Sequence, residues 1–221
     1  FRSEDWIKNG RQGAFEVNNF TSPAFVARVN YHGVKGLRVG ASFYYNQTAK
    51  NGTKPWRNTG YKFPVTIVTG DLQYKGFNNN LIVRGNAVYG NLGASGALTT
   101  INNSSSAASG YPNTTVAQNA VSYGGEAGYN IGSFFHSKAP RIYPFIRYEY
   151  YNPMEKTEAN TGLLADKRFQ VSAVTAGLNY YALPNLVIKA DYTHRSIGGG
   201  KYNDENLVSV GIAYIGWFIK K

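Results

Sequence analysis

Cysteine is absent from the 221 residues and methionine occurs once. The first absence excludes disulfide scaffolds and thiolate metal sites. No run of about 18 apolar residues occurs, which excludes a transmembrane helix on length grounds. No basic and apolar leader precedes Phe1, so a targeting segment is read as removed or as lying upstream. Acidic residues are scarce as well: 12 Asp and Glu against 23 Lys and Arg leave a net charge of +11. That balance fits nucleic acid, an acidic surface or an anionic solute as partner and does not choose among them.

Aromatic residues and glycine are abundant, with 18 Tyr, 12 Phe, 3 Trp and 25 Gly. A hydrophobic content of 43% is ordinary for a soluble protein. A transmembrane β-barrel has the same average, because only alternate residues face lipid. Period-2 alternation picks out nine segments, at 24–32, 37–46, 63–75, 81–91, 119–132, 141–152, 169–182, 186–196 and 206–219. In the second, Leu37, Val39, Ala41, Phe43 and Tyr45 alternate with Arg38, Gly40, Ser42, Tyr44 and Asn46. One register is apolar in each segment and the other carries the charges.

The connections alternate in length. Those at 32–37, 75–81, 134–141 and 182–186 are short, and those at 47–62, 92–118, 153–168 and 197–205 are longer and polar. Outer-membrane barrels have this asymmetry, with tight periplasmic turns and long outer loops, whereas a β-sandwich has no reason to keep it. Tyr31, Phe43, Tyr45, Tyr74, Tyr89, Tyr148, Tyr150, Tyr180 and Tyr192 fall on the apolar register near strand ends, as membrane-interface girdles require. The fold expected is all-β: a transmembrane antiparallel up-and-down β-barrel with about nine strands in this chain. Bacterial single-chain barrels have an even strand number and both termini inside. Nine strands beginning at the outer side break both rules, so residues 1–23 are read as an extracellular loop remnant and 24–221 as a segment of a larger barrel. An amino-terminal part must then supply the rest, because strand edges cannot stand open in hydrocarbon.

The stretches GRQGAF, from Gly10, and FVARVNYHGVKGLRVGASFYY, together with the ending VSVGIAYIGWFIKK, resemble the carboxyl-terminal half of porin-like outer-membrane proteins of Bacteroidetes. Those proteins are similar to the phosphate-selective porin O and P group. The resemblance implies a Gram-negative outer membrane, lipid on one side of the wall, passive transport and a homotrimer or other membrane complex. The group's arginine ladder has no residue-by-residue match here, so the resemblance does not carry anion selectivity over. The ending also departs from the usual terminal aromatic, since Ile219, Lys220 and Lys221 follow Phe218.

With the apolar register outward, the inward set holds Arg28, Asn30, His32, Arg38, Asp71, Gln73, Lys75, Arg84, Asn86, Glu126, Arg147, Glu149, Lys189, Asp191 and Arg195. Charge on the lipid side costs about 2–4 kcal/mol near the midplane, so these side chains should meet water. Arg28, Arg38, Lys75, Arg84, Arg147, Lys189 and Arg195 outnumber Asp71, Glu126, Glu149 and Asp191, and a basic excess along a pore favours anions. The function expected is a pore for small hydrophilic or anionic solutes, with a weak anion preference. The alternative is a non-conducting barrel that anchors a surface assembly through its long loops.

Other signals are set aside. His32, His136 and His194 are scattered, without a triad-type neighbourhood in sequence, so no enzyme activity, cofactor or metal is expected. Gly90, Gly93 and Gly96 precede ALTTINNSSSAASG, which reads as a flexible loop, and the GGGK ending at Lys201 reads as a surface hairpin. Basic residues and tyrosines fall on opposite faces of each strand, which offers no platform for nucleic acid. Small residues across 173–177 are a candidate subunit contact.

Overall fold

In the computed structural model, residues 23–47, 62–105, 115–135 and 140–214 are described. Of the loop remnant expected at 1–23, residues 1–22 lie outside the described residues, as do residues 48–61, His136 and the ending at 215–221. Nine strands form one sheet: β1 (Phe25–Tyr31), β2 (Leu37–Gln47), β3 (Pro64–Gly76), β4 (Leu81–Leu92), β5 (Asn119–Tyr129), β6 (Arg141–Lys156), β7 (Val171–Leu183), β8 (Leu186–Ile197) and β9 (Asp204–Tyr214). Their order in the sheet is their order in the chain, and every neighbouring pair is antiparallel. The sheet is open, with β1 and β9 at its edges. No helix among the described residues is long and apolar enough to cross a membrane.

The nine expected segments correspond to the nine strands, with shifts at their ends. Strand β6 runs to Lys156, through residues expected to begin a loop, and β5 stops at Tyr129 before a 3-10 turn at Ile131–Phe134. Strand β9 starts at Asp204, earlier than expected.

Short connections all lie at one end of the sheet. The β1–β2 turn depends on Gly36, whose φ of +80° is in the left-handed region. A Cβ there would run into the backbone carbonyl oxygen of Lys75, while Lys75 N–H donates to the Gly36 carbonyl at 2.8 Å. Gly36→Ala should therefore cost about 1–3 kcal/mol, seen as a lower denaturant midpoint with unchanged slope. At the β3–β4 turn Asn78 and Asn79 also take positive φ, which Asn tolerates better than most residues. The Asn130 carboxamide joins that turn to β6, donating to Asn80 Oδ1 and accepting from Ile142 N–H, each at 3.0 Å.

The opposite end holds a structure the sequence did not suggest. Residues Ser95–Ser105, expected to be a flexible loop, form a helix, α1. Ser, Thr and Asn are poor helix formers, so packing rather than propensity holds it. Leu98 is fully buried with Phe63, Val65, Leu92, Val116 and Ala120, and Ala94, Ala97 and Ile101 pack against them. Thr99 Oγ1 accepts from Val116 N–H at 2.9 Å, so the chain leaving α1 is fixed as well. Glu158, in the β6–β7 connection, accepts from Gly96 N–H at 2.5 Å. A carboxylate there satisfies one orphan donor of the helix's first turn and favours its dipole. Two loops are thereby tied together. Further along, Arg168 grips Asp166 and holds its carboxyl below the usual range.

Candidate functional site

Directly opposed residues of antiparallel strands share a face, so the register assigns every side chain to one side of the sheet. One side carries Arg28, Arg38, Lys75, Arg84, Glu126, Arg147, Glu149, Lys189, Asp191 and Arg195, all ten residues proposed from sequence to line a pore. The row from Arg38 runs through Gln73, Arg84, Glu126, Arg147 and Thr175 to Thr193. The next row runs from Gly40 through Asp71, Asn86, Gly124, Glu149 and Ala173 to Arg195.

These charges are largely paired. Arg28 donates to Asp71 at 2.8 Å, reaching across β2 over Gly40, and Arg38 stands 3.6 Å from the other Asp71 oxygen. A Cβ at Gly40 would strike both Arg28 and Asp71. Glycine at 40 thus makes room for the bridge. Glu126 is shared, 2.5 Å from Arg147 and 3.6 Å from Arg84, and Arg147 also approaches Glu149 at 3.9 Å. Sequence reading missed one acid, Glu205, which lies 2.6 Å from Arg195, and Arg195 also donates to Tyr151 Oη. The signal was present as an Asp-Glu pair at 204–205, taken for loop.

With Arg141, which opposes Tyr181 on this face, and Glu205 both added, the face holds eight basic against five acidic residues. Among the described residues, Lys75 and Lys189 have no ion-pair partner. Pairs this exposed are worth little in stability, because water and salt screen them. Their weight is electrostatic. If the face lines an aqueous path, Glu126→Gln strips the shared counter-charge from Arg84 and Arg147. Reversal-potential measurements under a salt gradient should then show a shift toward anions, while Arg84→Gln should shift them toward cations.

The charged side is also the hollow side. One hollow, of about 480 Å³, is lined by Arg84, Glu126, Phe145, Arg147, Lys189 and Asp191 among others, from five successive strands, β4 to β8. Two further hollows, at Arg38–Asp71 and at Tyr151–Arg195, lie on the same side. Helix α1 packs here too, since Tyr44, Val65, Ile67, Leu92 and Ala120 belong to the charged register. The charged side is thus covered by α1 at the loop end over β3–β5.

The other side is apolar and bare. Val29, Val39, Val68, Leu72, Ile146, Val174, Val208, Val210 and Ile212 are all exposed on it, with Ile146 at 59% and Val210 at 76%. Between strand ends this side carries no Asp, Glu, Lys or Arg; Glu155, whose carboxylate accepts from Tyr150 and Asn152, and Lys156 and Asp204 sit at the loop-end limits. All nine aromatic residues assigned to the apolar register from sequence lie on it. The small-residue stretch at 173–177 is different: Ala173, Thr175 and Gly177 are on the charged side and only Val174 and Ala176 face out, so this stretch makes no continuous small patch.

His194 also differs from its sequence reading, for polar neighbours surround it. Its Nδ1 lies 2.9 Å from Asn206 Oδ1, which also accepts from Tyr192 Oη, and its Nε2 is 3.4 Å from Ser196 Oγ. Ser196 gives its proton to Asp204 at 2.7 Å, however, and not to the imidazole. The network ties β8 to β9. Among the described residues no group of three or more His, Asp or Glu is arranged to hold a metal ion.

No protein-family model matches this chain, and no curated protein matches its sequence.

Proposed function

We propose that this sheet is part of the wall of a bacterial outer-membrane β-barrel, apolar side to lipid and charged side to an aqueous path for small hydrophilic solutes. The observation that carries the reading is the bare apolar side. Contiguous exposed apolar patches on soluble monomers rarely exceed about 300–600 Å², and an uncharged side nine strands wide far exceeds that. Lipid is the solvent in which such a side is stable.

Register supports the same reading. The row from Tyr31, last residue of β1, passes Val39, Leu72, Gly85, Gly125, Tyr148 and Val174 to His194 and Asn206, near the loop ends of β8 and β9. With the turns at one level, the row climbs by about eight residues over eight interstrand spacings. At ~3.3 Å per residue and ~4.8 Å per strand, the strands tilt by about 35°. Closed barrels need tilts of that size. Strands β1 and β9 run in the same direction, so antiparallel closure requires an odd number of further strands between them.

The basic excess on the charged side supports a weak anion preference. A second reading, a non-conducting anchor or subunit of a surface assembly, is favoured by α1, which covers part of the charged side. Full-length protein reconstituted in planar bilayers separates the two. Discrete current steps support the channel; a heat-modifiable, folded barrel that never conducts leaves the anchor.

A further inference from the structure

The hollow spanning β4 to β8 combines balanced charges, Arg84, Arg147 and Lys189 against Glu126, Glu149 and Asp191, with the aromatic rings of Tyr143, Phe145 and Tyr181. Phe145 stands opposite Gly128 on one side and Gly177 on the other, and its ring lies across Gly177. Tyr181 meets Tyr143 edge to face at 5.8 Å, and Tyr143 is fixed by donating to the Asn79 carbonyl at 2.9 Å. Rings on the water side of a barrel wall gain nothing from lipid, and Phe145 is only half-buried where it lies.

Around these rings stand donors and acceptors of both kinds. Thr175 and Thr193 hydroxyls pair at 2.8 Å, and Asn179, Lys189 and Asp191 line the same hollow. The two arginines of the hollow already face Glu126 and Glu149, which leaves them less to offer an anion. An apolar solute would strand the polar rim without partners. A sugar ring fits both requirements: its C–H faces lie on aromatic planes while its hydroxyls, each donor and acceptor, meet carboxylate, ammonium, amide and hydroxyl groups. The volume is within the range of small-molecule sites.

We propose that this hollow is a binding site for neutral hydroxylated ring solutes, that is, saccharides, resting on the channel reading above. Phe145 and Tyr181 supply the ring contacts, and Asp191, Lys189 and Asn179 the hydroxyl partners.

The test uses full-length protein in planar bilayers with maltotriose as probe, and polyethylene glycol of similar size and sodium phosphate as controls. Maltotriose should interrupt the current with saturating concentration dependence, and neither control should. Tyr181→Ala should raise the half-blocking concentration about ten-fold, as the loss of one aromatic contact together with its buried area does. Phe145→Ala should do the same if it folds; its ring covers Gly177, so Tyr181→Ala and Asp191→Asn are the safer variants. Current steps insensitive to maltotriose, or blocked by phosphate instead, overturn the site and leave the channel standing. Absence of current overturns the channel; titration calorimetry of the folded, detergent-solubilised protein with maltotriose then decides the site, with no heat of binding refuting it.

Discussion

Ile146→Arg is expected to cost about 2–4 kcal/mol of folding stability in bilayers, as arginine does near the midplane of a lipid-facing wall. Ile146 lies on the apolar side between Ala127 and Ala176, in the row that continues to Tyr192 and Val208. No acidic side chain shares that side except at strand ends, so the new guanidinium would have lipid or nothing as its partner. Asn86→Arg is the matched control. Asn86 is on the charged side, where it lines two hollows beside Glu149, and a further cation there should change stability by no more than about 0.5 kcal/mol. Urea unfolding in lipid vesicles measures both. Equal effects of the two substitutions would mean that both sides of the sheet meet water.

Leu98→Ala should have the second large effect, and it should be local. Leu98 is wholly buried beneath α1, and truncating such a leucine costs about 2–5 kcal/mol. The other anchors of the helix are smaller: Ala97 and Ile101 pack on the same core, Thr99 accepts from Val116 N–H, and Glu158 accepts from Gly96 N–H in the first turn. The loss should therefore appear as release of α1 from Phe63, Val65 and Leu92 rather than as unfolding of the sheet. Amide exchange should rise at 95–105 and remain slow in β3 and β4. Single-channel records should become noisier, with larger current steps, as α1 leaves the charged side.

How much of this could be read from sequence depended on the range of the interaction. Alternation is a local signal, and it placed Arg28, Arg38, Lys75, Arg84, Arg147, Lys189 and Arg195 on one side, because a strand's faces follow from its own residues. Partner choice is not local. Arg28 reaches Asp71 across an intervening strand, and only the register of β1 on β2 and β2 on β3 brings the two together over Gly40. A tally of charges therefore gave the sign of the excess but not its neutralisation. Glu205 was missed because a turn was assigned two residues too long. Helix α1 was illegible for a different reason: its residues have loop chemistry, and its only strong apolar anchors, Leu98 and Ile101, gain meaning from Phe63 and Val116, which lie far away in sequence. His194 was read without Asn206 and Asp204, which the β8–β9 pairing brings beside it and beside its strand neighbour Ser196.

The central claim is that the two sides of the sheet meet different solvents. The absence of cysteine makes it directly testable, since single cysteines can be placed along β6 from Ile142 to Tyr151 and spin-labelled in lipid vesicles. Collision with oxygen, which concentrates in lipid, and with a water-soluble nickel chelate should alternate residue by residue. Labels at 142, 144, 146, 148 and 150 should favour oxygen, and labels at 143, 145, 147, 149 and 151 the chelate. Chelate access along both registers would contradict the account.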